Sequence, residues 1–180
     1  PNIAFALGAS LGEKKLVADS LKAILAGITT AVVIAIIIGL IWPGDFNSVE
    51  LLLRTDVGYS GTAIALASGA AASLSLVSSV SSVLVGVMVA VALMPPAVTI
   101  GLMLSISNYD LALGAMLLLA VNIVCINLSA KLVFLFRGVK PRTWLEAHKA
   151  KQSILIYIAT WIIMLAILVL AIYLRHKTQI

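Results

Sequence analysis

Two adjacent prolines, Pro95 and Pro96, interrupt the apolar run VALMPPAVTI at residues 91–100. Proline has no N–H, so the carbonyls of Val91 and Ala92, four residues upstream, lose their helical donors, and the amides beyond Pro96 open a new helical start. Freed carbonyls accept from a donor or coordinate a cation, while exposed amides with partial positive charge favour an anion or a polar neutral group. The chain opens on a second such segment, PNIAF, in which Pro1 and Asn2 stand in the same relation. Polar side chains inside other apolar runs complete a candidate substrate-binding set: Pro1, Asn2, Ser68, Val91, Ala92, Pro95, Pro96, Ala97, Thr99 and Asn122. The plainer alternative is a proline kink healed by neighbouring hydroxyls, with Asn122 and Asn127 acting only as cross-helix hydrogen bonds.

The other titratable groups argue against an enzyme. Glu13, Asp19, Asp45, Glu50, Asp56, Asp110 and Glu146 all fall in loops or near the ends of apolar runs, as do His148 and His176. A proton relay through a buried acid, a hydrolytic metal centre and a Ser-His-Asp triad are therefore unsupported, and no cofactor is called for. Asp19 and Asp110 read as helix N-caps. Cys125 is the single cysteine and sits in an apolar stretch, where it reads as a small core residue.

These residues need elements to hold them, and composition names the solvent. With 62% hydrophobic and 11% charged residues among 180, and a mean hydropathy of +1.17, the chain has too little polar surface for a water-soluble globule. Windows of about 20 apolar residues, enough for a ~30 Å hydrocarbon core, predict spans at 20–42, 58–77, 79–106, 109–136 and 152–174. The segment 1–12 reads as the second half of a sixth helix, so the expected fold is an all-α polytopic membrane protein of about six transmembrane helices, the first truncated. Following the spans alternately, Lys14, Lys15, Lys22, Lys131, Arg137, Lys140, Arg142, Lys149 and Lys151 collect on one side, against Arg54, Arg175 and Lys177 on the other. That asymmetry places the loop 138–150 in the cytoplasm, of a prokaryotic inner membrane. The segment RGVKPRTWLEAHKAKQ reads either as an interfacial helix on anionic lipid or as a solvated basic loop. On the far side, PGDFNSVELLLRTDVGYSG reads as a short amphipathic surface helix. The net charge of +5 belongs to a membrane surface and not to nucleic acid.

A shift of 95 residues lays Pro1 on Pro96, Leu7 on Leu102, Ser10 on Ser105 and Leu16 on Leu111, and lays the spans at 20–42 and 58–77 on those at 109–136 and 152–174. Two three-helix repeats follow, about 1–78 and 79–180, within one transmembrane domain. An odd number of spans per repeat inverts the second copy in the membrane. From Pro96 to Ile106 is ten residues, about 15 Å of helix, which puts the proline break near the midplane. On the third helix, Gly61, Ala65, Gly69 and Ser73 recur every four residues and predict a close helix contact.

The stretch RTDVGYSGTAIALASGAAASLSLVSSVSSVLVGVMVAVALMPPAVTIGLMLS, with its SGAAAS and GVMVAVALMPPA segments, resembles the prokaryotic hydrophobic membrane proteins grouped as domain of unknown function 389. The resemblance implies several transmembrane helices and supplies no substrate, cofactor or catalytic residue. The residues themselves point to a transporter moving a small solute or ion through a midplane site between broken helices. A channel of the same architecture and a membrane anchor for a soluble sensory domain are the alternatives. The expected partners are the lipid bilayer, that solute, and further copies of the chain in a homo-oligomer.

Overall fold

A backbone in lipid must satisfy its polar groups internally, and every regular element among the described residues is an α-helix. The computed structural model describes residues 1–42, 44, 46, 48–57, 59–78, 82–138 and 144–178, excepting the side chains of 59–60, 82–84, 144–157 and 176–178. The helices are α1 (Asn2–Leu11), α2 (Lys14–Ile41), α3 (Val49–Leu52), α4 (Tyr59–Val77), α5 (Ser82–Ser105), α6 (Tyr109–Phe136) and α7 (Trp144–Thr178). Four segments are long and apolar enough to cross a membrane: Lys14–Ile41, Val85–Ser105, Tyr109–Phe136 and Ile158–Arg175. Asn2–Leu11 and Gly61–Val77 are shorter apolar helices.

Several boundaries differ from the expected ones. Helix α2 begins at Lys14, six residues before the predicted span, because its cationic first turns extend past the apolar stretch without leaving helical geometry. Asp19 therefore lies inside the helix and is not its cap. At α6 the cap is Asn108, whose side chain accepts from the Leu111 amide at 3.2 Å. Asp110 falls in the first turn, where a carboxylate complements the helix dipole. Helix α7 starts at Trp144, so residues 144–150 are its first turns and not a loop. The segment WLEAHKAKQ is rich in strong helix formers; residues 139–143 lie outside the described residues. The predicted surface helix is the single turn α3, capped by Ser48, with Pro43, Asp45, Asn47 and Gly58 outside the described residues.

The largest correction concerns the double proline. Helix α5 runs unbroken from Ser82 to Ser105 with Pro95 and Pro96 inside it, and is not divided into two half-helices.

Helix α6 is the hub. Its residues Ile126, Ala130 and Phe134 pack with Ile3 and Ala6 of α1, Ala72 of α4 and Val85 and Val89 of α5. Ala115 and Leu119 meet Ala97 and Ile100 of α5, and Val121 and Cys125 meet Ala65 of α4 and Leu165 and Leu168 of α7. Phe5 of α1 also stands edge-on to Trp161 of α7 at 6.2 Å. The predicted small-residue contact is present: a Cβ on Gly69 would lie 2.7 Å from the Ile126 Cα and against the Ser129 hydroxyl, so only glycine admits α6 there. Helix α2 lies outermost, packed in parallel on α5, with Ile28 near Ala97, Ala35 at Gly101 and Ser105 at Gly39. Its other face is bare, with Leu25 56% and Ile41 75% exposed, as is that of α7, with Ile167 61% exposed. Lipid is the solvent such faces suit.

Candidate functional site

Helix α5 walls two cavities, one through Ala92, a turn before Pro96, and the other through Met94 and Ala97, which flank the prolines. Pro96 removes the donor for the Ala92 carbonyl, and that carbonyl accepts instead from the Asn122 side-chain amide of α6 at 2.8 Å. One turn on, Thr99 Oγ1 donates to the Pro95 carbonyl at 3.0 Å. The helix thus carries two prolines unbroken while a neighbouring helix supplies one of the two missing donors, a circumstance under which prolines persist in membrane helices.

On one side of α5 is an open cleft of about 340 Å³, walled by α4 (Gly61, Ala65, Ser68), α5 (Met88, Val91, Ala92) and α6 (Leu118, Asn122). Asn122 and Ala92 form its floor. Leu53, Arg54 and Asp56 form its mouth, on the turn after α3. That turn is pinned by Thr55, which is 5% exposed. Its hydroxyl donates to the Leu52 carbonyl at 2.7 Å, and its own carbonyl accepts from Arg175 Nη1 at 3.3 Å. Arg175 continues to the Asp110 carbonyl at 2.9 Å and carboxylate at 3.5 Å. Gly114 makes room for this junction, since a Cβ there would collide with the Thr55 carbonyl and the Arg175 guanidinium. With Thr55 turned inward, its neighbours Arg54 and Asp56 are left exposed at the cleft.

On the opposite face of α5 lies a smaller cavity of about 120 Å³, lined by Pro1 and Asn2 of α1, Ala23 and Gly27 of α2, and Leu93 and Ala97 of α5. Asn2 and Asn127 are 1% and 2% exposed. Asn127 Nδ2 donates to Asn2 Oδ1 at 3.2 Å and to the Ile123 carbonyl at 2.8 Å. Among the described residues Asn2 Nδ2 and Asn127 Oδ1 have no hydrogen-bond partner, a donor and an acceptor that suit one bound water.

The candidate set is thus distributed and not gathered at one point. Ser68, Val91, Ala92 and Asn122 line the cleft, while Pro1, Asn2 and Ala97 line the second cavity. Pro96 and Thr99 are buried between them, and Pro95 is half-buried. Two further groups escaped the sequence reading. Arg54 and Asp56 lie in a segment read only as a surface helix, and their place at a cavity mouth depends on the Thr55 anchor. Lys131, counted by sequence only among the cations of one side, is 2% exposed. Its ammonium donates to the Ala9 carbonyl in the last turn of α1 at 3.5 Å, where a cation complements the helix dipole. Its position four residues after Asn127 puts both on one helix face, a signal the sequence carried.

No solved structure matches this chain. An uncharacterized protein of Methanocaldococcus jannaschii is 34% identical over 174 residues, which are 96% of this chain and 54% of the relative. The chain therefore spans about half the length of the curated relative it matches. The family described as Domain of unknown function (DUF389) matches residues 1–128, all of the residues that line the cleft and the proline segment among them, and the chain belongs to that family.

Proposed function

We propose that this domain is a secondary transporter that carries a small polar solute or ion across the membrane between two inverted repeats. The cleft holds the solute at the Asn122–Ala92 floor. The observation that carries this reading is the relation between the two cavities. Leu118 and Asn122 of the cleft and Ala23 and Gly27 of the smaller cavity each differ by 95 positions (118 − 23 and 122 − 27), the shift at which the sequence suggests two repeats. Tertiary contacts follow the same exchange. The Asn2–Asn127 pair corresponds to Ala97–Val32 (97 − 2 and 127 − 32), which share a core cluster. Ala6 and Ala130, together in another cluster, correspond to Gly101 and Ala35 (101 − 6 and 130 − 35), which touch.

Cavities related by an axis in the membrane plane face opposite sides, and moving one repeat against the other exchanges which is open. Symmetry of this kind favours six spanning segments in the parent fold, with α1 and α5 as counterparts. The contacts of α1, α2, α5 and α6 support it. Helix α7 departs from it, packing on α6 as α4 does. We place the domain in the cytoplasmic membrane with the Arg137 end inside. Eight cations remain on that side, nine less the buried Lys131, against three opposite.

The test is flux in liposomes containing the full-length protein. Saturable uptake, stimulated by solute on the opposite side and reduced by Asn122→Ala, is expected. Unitary currents would replace the transporter by a pore, and no flux of any solute would leave a membrane anchor.

A further inference from the structure

Arg54 and Asp56 are two residues apart, line the mouth of one cleft and bear opposite charges. Among the described residues neither joins an ion pair; the pair that does form, Arg175–Asp110, belongs to the anchor beneath them. Thr55 between them is buried and bonded at both its hydroxyl and its carbonyl, so the two charges are presented from a fixed turn. A cleft with low-dielectric walls focuses the field of such charges on what enters it. A monovalent ion there meets one attraction and one repulsion, whereas a group carrying both charges meets two attractions. The rest of the wall includes a hydroxyl (Ser68), an amide (Asn122) and Val91, whose carbonyl lost its donor to Pro95, with no further charge among the lining residues.

We infer that the cleft mouth recognises a dipolar group, one cationic nitrogen and one anionic oxygen group in the same small molecule. Arg54 takes the anionic end and Asp56 the cationic end. The inference rests on the transport reading only in naming what enters the same cleft. A free amino acid, supplied by the aqueous phase, and an ethanolamine phospholipid headgroup, supplied by the bilayer, share this chemistry.

The experiment measures binding to the full-length protein in nanodiscs. In one arm the discs contain only phosphatidylglycerol, and alanine, phosphoethanolamine, acetate, ethylammonium and glycerol are titrated. In the other, phosphatidylethanolamine is added and lipid retained by the protein is read by native mass spectrometry. The dipolar probes should bind about tenfold or more tightly than acetate, ethylammonium or glycerol, and Arg54→Gln and Asp56→Asn should each weaken them about tenfold, one lost charge-assisted contact. The exchange Arg54→Asp with Asp56→Arg should recover part of the loss. Binding of the free probes identifies a soluble solute as the source, and retention of ethanolamine lipid alone identifies the headgroup. Both side chains are exposed, so unchanged melting temperatures of the unliganded variants certify folding, and Arg54→Lys and Asp56→Glu serve if either variant fails to fold.

Equal binding of acetate, ethylammonium or glycerol, binding unaltered by the variants, or no dipolar group bound in either arm overturns the inference. Counterflow of a singly charged or neutral solute would keep the transporter and discard the dipolar specificity. Dipolar binding without flux would do the reverse.

Discussion

At the residue scale the molecule turns on one hydrogen bond. Asn122 donates to the Ala92 carbonyl that Pro96 left without a helical donor. An unmatched buried carbonyl costs about 1–3 kcal/mol. Asn122→Ala should therefore lower stability by about that amount in detergent, read by thermal unfolding. The cost should shrink when Pro96→Ala is combined with it, because alanine restores the backbone N–H that bonds Ala92 directly. Additive costs in this double-mutant cycle would mean that Asn122 acts elsewhere than on the proline gap. The sequence marks Asn122 as an amide in need of a cross-helix partner; it does not say which carbonyl. The pairing spans 30 residues of chain, and only the packing of α5 on α6 selects Ala92 among the carbonyls within reach.

At the scale of helices, small residues decide how near backbones come. The four-residue stripe on α4 divides into two uses. Ala65, Gly69 and Ser73 are buried against neighbouring helices, whereas Gly61 has open space where a Cβ would stand and fronts the cleft. Gly69→Ala should therefore destabilise the fold by about 1–3 kcal/mol, since the added methyl meets the Ile126 backbone. Gly86→Ala, also in a helix interior but with nothing within 4 Å, should be neutral or stabilising by up to ~1 kcal/mol. Comparable losses from both would assign the effect to helix propensity and not to the α4–α6 contact. The spacing shows in sequence, but which members touch depends on where α5 and the Thr55 turn leave the cleft open.

For the molecule as a whole, orientation and assembly are the properties to measure. Cys125 is fully buried, so the native protein should be nearly inert to maleimides and serve as its own background. A cysteine at exposed Gly138 should be labelled only from the cytoplasmic face, and one at exposed Val49 only from the opposite face. Outside labelling of Gly138→Cys in intact cells would invert the topology and leave the helix packing untouched. We further propose a homo-oligomer. Among the described residues α2 makes no substantial contact with α4 or α7, which leaves its outer face open to lipid, to another copy or to chain beyond residues 1–180. Native mass spectrometry in mild detergent should show more than one chain, and monomer alone would overturn the oligomer.

Much of this architecture follows from the sequence because the bilayer imposes it locally. A run such as TTAVVIAIIIGLI (29–41) has no state in lipid other than a helix, whatever its neighbours do. For that reason, the helical class and the positions of the long helices are readable from hydropathy alone. The break expected at Pro95 and Pro96 was a local argument too, and it failed because the cure is non-local: Asn122 on another helix supplies the donor. The burial of Lys131 was not legible for the same reason, its ammonium donating to the end of α1, more than a hundred residues away in the chain. The cleft, its mouth charges and the cavity behind α5 exist only once six helical segments are packed. Hydropathy records what each segment prefers as solvent, whereas a cavity records where packed segments leave a gap, and that difference is decided by tertiary structure.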